Sequence, residues 1–210
     1  MDVHAPHQPV HTWRDFLIHL AIVTIGLFIA LMLEALVEHV HHRHLVAEAR
    51  ENLHREIAAN CASASKDLGY SQVNVGVFDQ NIRAVHALQT HAKGDFHISN
   101  TMEWSDFSSA GWRTAHETGA LGYMPYDEVQ RYSDLYTAQD FLETRAEALF
   151  DRNILAGAPF KMGLDPEKLP AEAYGNLLRD NAQVEVEFVA LTQVLQQYQT
   201  QCNAALSKGQ

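Results

Sequence analysis

The hydrophobic pattern opens with one unbroken apolar block and continues as periodic stretches. The block is Phe16 to Val37, FLIHLAIVTIGLFIALMLEALV. Between Asp15 and Glu34 lie eighteen residues with no Asp, Glu, Lys or Arg. At about 1.5 Å per residue they cover ~27 Å, close to the ~30 Å hydrocarbon core of a bilayer. Leu36 and Val37 extend the block when Glu34 sits at headgroup depth. Backbone polar groups in lipid must pair within their own segment, so the block predicts a transmembrane helix over 16–37, preceded by a polar tail over 1–15. A cleaved signal peptide would want a basic start, a shorter apolar stretch and small residues at its end. Here MDVHAPHQPVHTWRD carries one Arg and two Asp, and Glu34 stands near the end of the block. A buried soluble helix is the other reading, and the rest of the chain offers nothing apolar enough to surround it on every side.

From Leu45 to Lys93 there is no Pro, and small or apolar residues recur at spacings of four and three: Ile57, Cys61, Ala64, Leu68, Ser71, Val75, Phe78, Ile82 and Val85. That period marks a helix presenting one seam to partner helices, a juxtamembrane and first bundle helix over 38–95. Lys93-Gly94 is its expected stop. Asp95 to Thr101 reads as a loop. A short helix is expected over Ser105 to Thr118, capped by Ser105 or Asp106 and ended by Gly119. Tyr123-Met124-Pro125 opens a third helix, because Pro is tolerated in a first turn. Val129, Tyr132, Tyr136, Leu142, Ala146 and Leu149 line one side of it. Gly157 to Pro170 holds three of the six Pro and reads as a non-helical connector. The last helix, Ala171 to about Ser207, keeps its seam throughout: Tyr174, Leu177, Asn181, Val184, Phe188, Leu191, Leu195, Tyr198, Cys202 and Ala205. Neither long helix can bury its stripe alone, so the prediction is all-α: a transmembrane helix continuing into a long helix packed in an antiparallel helical bundle, with 96–210 completing that bundle.

Four stretches carry a resemblance: HTWRDFLIHL (His11 to Leu20), GLFIALMLEALVE (Gly26 to Glu38), HHRHLVAEARENLHREI (His41 to Ile57) and GWRTAHETGALGYMPYDEVQRYSDLY (Gly111 to Tyr136). In these the chain resembles a group of uncharacterised bacterial single-pass membrane proteins that pair a short tail and one hydrophobic helix with a helical domain. The resemblance implies the inner membrane of a bacterium. It implies no activity.

Composition removes several function classes. With 15 Lys+Arg against 26 Asp+Glu the formal charge is −11, which argues against a general nucleic-acid binder. Two Cys cannot build a disulfide scaffold or an all-cysteine zinc site. G-x-S-x-G, H-E-x-x-H, Walker and dinucleotide motifs are all missing, so no enzyme and no cofactor is expected. A membrane enzyme using the aromatic middle would need a carboxylate or His near Trp112, and His116 and Glu117 are the nearby candidates.

The remaining candidates carry competing readings. His39, His41, His42 and His44 cluster just past the span. The i,i+3 pairs suit a transition metal or a pH-responsive patch, whereas amphipathic rings also collect where a helix leaves lipid. His19 and Glu34 are polar groups at or near membrane depth, but ~22 Å apart along the axis they cannot pair within one chain. Gly26 and Ala30 form a small-x-x-x-small step through which two spans could self-associate. Cys61 and Cys202 both fall on seams. They form a disulfide if the helices are antiparallel neighbours in an oxidising compartment, or remain two buried thiols. Trp104, Phe107, Trp112, Tyr123, Tyr126, Tyr132 and Tyr136 line a pocket or fill a core. Orientation is undetermined. Arg14 and the α-amino group face Arg43, Arg50 and Arg55 across the span, which favours a cytoplasmic bundle by only one or two charges. The function expected is a scaffold, interaction or sensor-like module at the lipid bilayer, a homo-oligomer with an unknown protein partner. The rival is a metal- or pH-responsive binding protein using the four His.

Overall fold

The computed structural model describes residues 12–162, 165 and 168–207. Among them are four α-helices, α1 (Trp13–Gln89), α2 (Ala110–Glu117), α3 (Tyr126–Lys161) and α4 (Ala171–Ser207), with a 3-10 turn at Ala120–Tyr123 and no strand. Residues 1–11 of the expected tail lie outside the described residues, as do 163, 164, 166 and 167 of the expected connector. The chain forms two compact units, divided after Glu48. In the first, every residue from Phe16 to Val37 is exposed. An exposed apolar face of this size is more than monomeric soluble proteins leave bare.

The second unit, from Ala49, is a bundle. Its register follows from contacts that fix each helix direction. Along α1 and α4, Cys61 meets Cys202, Ser71 donates to Phe188 O, and Asn81 Nδ2 donates to Asn181 Oδ1, so the two helices are antiparallel. Arg50 reaches Glu128, Glu56 accepts from Tyr136, and Asn60 donates to Gln139, so α1 and α3 run parallel. Tyr198 donates to Gln139, and Arg145 and Arg152 both reach Glu187, so α4 is antiparallel to α3 as well. The seam of α4 is buried at every expected position through Cys202, with Ala205 half-buried. Phe78 and Phe188 stack across α1 and α4 at 5.5 Å, and Val85, Tyr174 and Leu177 close the distal end.

Parallel α1 and α3 require a return path. The chain returns along residues 90–109, an extended strap rather than another helix. Twenty-one residues of helix between Asn60 and Asn81 rise ~31 Å at about 1.5 Å each. Nine extended residues between Ser99 and Ser108 span ~30 Å at about 3.3 Å each. The two lengths match, which is why so short a segment can retrace the helix.

Several expected boundaries move. Helix α1 stops at Gln89, four residues before Lys93. His91, not Gly94, takes the left-handed position (φ 53°), with its N–H on Leu88 O and that of Ala92 on Ala87 O. These two bonds together make a Schellman closure. The short helix begins at Ala110 after Ser109, not at Ser105 or Asp106, because those residues belong to the strap. Gly119 does take a positive φ of 75° just past α2, as a stop should. Helix α3 continues through Gly157 and Pro159 to Lys161, so the connector begins only at Met162. Proline is tolerated there because Leu155, the residue whose carbonyl it deprives, is 69% exposed. Water can take that bond.

Candidate functional site

Along α1, buried polar side chains stand at heptad spacing: Asn60, Asp67, Asn74 and Asn81. Three of them hold the strap, while Asn74 donates to Tyr70 O within its own helix. An extended segment without a sheet has backbone groups that something else must satisfy. Asn60 meets both backbone groups of Ser108: its Oδ1 accepts from the N–H at 2.9 Å and its Nδ2 donates to the carbonyl at 2.7 Å. Asn81 does the same for Ser99, at 3.0 and 2.8 Å. Between them Asp67 Oδ1 accepts from Ser105 N–H at 3.0 Å. From the other side, Asn153 of α3 donates to Asn100 O at 2.8 Å, and Gln139 Nε2 donates to Ser108 O. Gly157 lets the strap come close, since a Cβ there would lie 3.2 Å from Asn100 Nδ2.

Glu56 anchors the end of the strap. Its carboxylate accepts from Tyr136 Oη (2.6 Å), Ser108 Oγ (2.7 Å), Gly111 N (2.8 Å) and Trp112 N (3.2 Å). It therefore caps the first turn of α2 from another helix, where negative charge is favoured. Burial pushes this carboxyl up, and the four hydrogen bonds, led by Tyr136, outweigh it and hold it below its ordinary value. Burial and the bond to Glu56 push the Tyr136 phenol far up, so it stays a donor. Asp67 behaves in the opposite way. It is 1% exposed, its Oδ2 has no partner, and burial outweighs the hydrogen bonding of Ser105 to raise its pKa.

Two clefts open on this frame. One, of about 540 Å³, is lined by Arg50, His54, Arg55, Glu128, Arg131 and Tyr132 among others. Its charges are largely answered: Arg50 binds Glu128 through two nitrogens at 2.7 and 2.6 Å, a bond that lowers the Glu128 pKa, and Arg131 pairs with Asp127. The second lies between the strap and α3. A hollow of about 380 Å³ is lined by Met102, Trp104, Asp106, Phe107, Glu143, Ala146, Glu147 and Phe150. It meets another of about 590 Å³, bordered by Ile98, Asn100, Asn153, Ile154 and Gly157, at the shared residues Met102 and Phe150. Burial, then Asp140, raises the pKa of Glu143, with Glu147 and Asp106 adding to the rise and the Phe107 N–H opposing it.

The residues singled out in the sequence fall into several groups. Cys61 and Cys202 are bonded, with their Cα atoms 5.8 Å apart across 141 residues. His39, His41 and His44 are exposed, and His42 lies 3.9 Å from Glu38. Among the described residues no three His, Cys, Asp or Glu side chains converge as a metal set. His19 Nδ1 sits 2.7 Å from Asp15 O. Glu34 lies ~22 Å further along the same helix, at about 1.5 Å of rise per residue. Gly26 has open space on its Cβ side. The aromatic middle is split. Trp112 stacks on Tyr136 at 5.2 Å, Phe107 contacts both Trp104 and Tyr198, and Tyr126 is 82% exposed. His116 and Glu117 are exposed on α2.

Sequence reasoning missed the polar heptad, Glu56 and the carboxylate cleft. A signal for the strap was present: Phe96, Ile98, Met102 and Trp104 alternate with polar residues, the period of an extended chain. Compared with known protein families, curated proteins and solved structures, the chain matches none.

Proposed function

We propose that this is a single-pass protein of the bacterial inner membrane whose helical bundle works outside the cytoplasm as a tethered interaction module. The observation that carries the reading is the bare apolar face of α1. Phe16 to Val37 is exposed throughout, and it is long and apolar enough to cross a bilayer. A lipid partner is what such a surface fits. Gly26 and Ala30 leave one side of the span open for a second span to pack against, and the exposed juxtamembrane His residues suit a headgroup layer.

The side of the membrane rests on Cys61 and Cys202. They are the chain's two Cys, and the fold joins them. Disulfides persist in oxidising compartments and are rare in the cytosol. The Arg count favours the opposite side by only one or two charges, and long domains translocate largely regardless of charge. A bond closing 141 residues is the stronger guide. The activity we propose is binding rather than chemistry: Glu56 and Asp67 are taken up by backbone N–H groups, Arg50, Glu128 and Asp127 by ion pairs, and Tyr136 and Tyr198 by donation to Glu56 and Gln139.

The test is made in intact cells with a reporter fused after Gln210 and a thiol-reactive polyethylene glycol added to denatured extract. The expected result is a protein in the membrane fraction with an active phosphatase fusion and a gel shift only after reduction. Soluble full-length protein would sink the anchor. A fluorescent cytoplasmic fusion with freely reactive thiols would reverse the orientation.

A further inference from the structure

We infer that the trough between the strap and α3 is a docking groove for a cationic amphipathic polypeptide segment. The inference rests on the reading as an interaction module and deepens it by naming the chemistry of the partner.

The trough is polarised. One part carries Ile98, Met102, Phe150 and Ile154 beside the uncharged polar Asn100, Thr101 and Asn153, and Phe150 and Ile154 are 49% and 56% exposed. The other part sets Trp104 and Phe107 beside three carboxylates, Asp106, Glu143 and Glu147. None of the ion pairs among the described residues uses any of these three. The nearby cations are engaged elsewhere: Arg145 and Arg152 reach Glu187, and Arg145 also lies over the Phe141 ring. The contrast with the first cleft is direct, because there Arg50 and Glu128 answer one another at 2.6 Å. Uncompensated carboxylates at the rim of an aromatic hollow favour a cation, and the faces of Trp104 and Phe107 add to that preference. Burial of Glu143 among like charges is a cost that an incoming Lys or Arg relieves.

Length and charge choose the occupant. From Glu143 to Gly157 the α3 wall runs ~21 Å, the length of about fourteen helical residues, so a single small cation would fill only one end. A second copy of this chain brings a charge of −11 to a negative surface and is disfavoured. A segment with large apolar residues at one end and Lys or Arg at the other matches the trough along its whole length. Amphipathic segments commonly bind in this way, with the apolar face in the groove and charge setting direction.

The experiment uses the full chain in phosphatidylcholine nanodiscs. The probe is a fluorescent fourteen-residue amphipathic peptide of Leu, Phe and Lys, compared with a twin in which Glu replaces every Lys. The expected result is saturable anisotropy for the Lys peptide, weakened by salt, with the Glu twin not binding. The D106N/E143Q/E147Q variant, which keeps side-chain size and leaves an oxygen at position 143 to accept from the Phe107 N–H, weakens binding at least about tenfold. Phe150→Ser weakens it too, while Glu51→Gln in the other cleft leaves it unchanged. Equal binding of the two peptides, or undiminished binding to the triple variant, would overturn the proposal. So would dimers cross-linked through position 150 in the absence of peptide. Membrane fractionation and the thiol shift do not depend on this result, so its failure leaves the tethered bundle standing.

Discussion

Glu56 and Asp67 are carboxylates eleven positions apart on one helix, with opposite environments. Glu56 meets four donors and is held ionised, whereas Asp67 meets one backbone N–H and has a bare oxygen. Asp67 thus costs stability at neutral pH. Its folded pKa lies above the ordinary 3.8, so folding binds its proton more tightly. The penalty is absent at pH values below 3.8. It grows as pH rises towards the raised value and is complete beyond it. Asp67→Asn keeps the acceptor for Ser105 and should stabilise the bundle by about 1 kcal/mol at neutral pH. The gain should fade in acid, as followed by urea denaturation at several pH values. Residue type alone hid this site. The sequence seam took Leu68, Val75 and Ile82 as core, but the positions just before them, Asp67, Asn74 and Asn81, are the buried ones. Apolarity picks the greasier neighbour. The seam turns by one residue; Asp67 and Asn81 hold the strap there, and Asn74 bonds within its own helix.

At the level of elements the strap is the unusual part. It has no sheet, so its order rests on the clamps of α1 and α3 rather than on its own propensity. Asn81→Ala removes both bonds to Ser99 and the one to Asn181. It leaves part-buried backbone groups unpaired, and should cost about 1–2 kcal/mol. Hydrogen exchange read by mass spectrometry should show protection lost around Ser99 to Thr101 while the middle of α4 keeps its own. The long helices were legible because a sustained spacing of three and four is hard to produce in any element but a helix. Their ends were less so. Three Pro and two Gly make Gly157 to Pro170 look like a connector, yet the strap meets α3 at Gly157 and the helix runs on to Lys161.

Over the whole molecule, the Cys61–Cys202 bond closes 141 residues and ties the start of α1 within the bundle to the end of α4. Loop-closure entropy for that span gives about 5 kcal/mol as an ideal figure, and about 3–5 kcal/mol is expected. The C61S/C202S pair, or reductant added to the parent, should lower the thermal midpoint of the detergent-solubilised protein by about 10 °C or more in a circular dichroism melt. Reductant should leave the double variant unmoved. That second arm separates loss of the bond from a general packing defect.

What could be read along one dimension is local: an apolar length matched to a bilayer, helices from their period, and an acidic surface. Each of these follows from a residue and its near neighbours along the chain. Three-dimensional packing was needed to establish that α1 and α3 run parallel, that an extended strap retraces α1, that two distant Cys meet, and that three carboxylates share one trough. Those facts depend on pairs of residues far apart in the chain, and the buried Asn residues that hold the strap look, in the bare sequence, like ordinary polar surface.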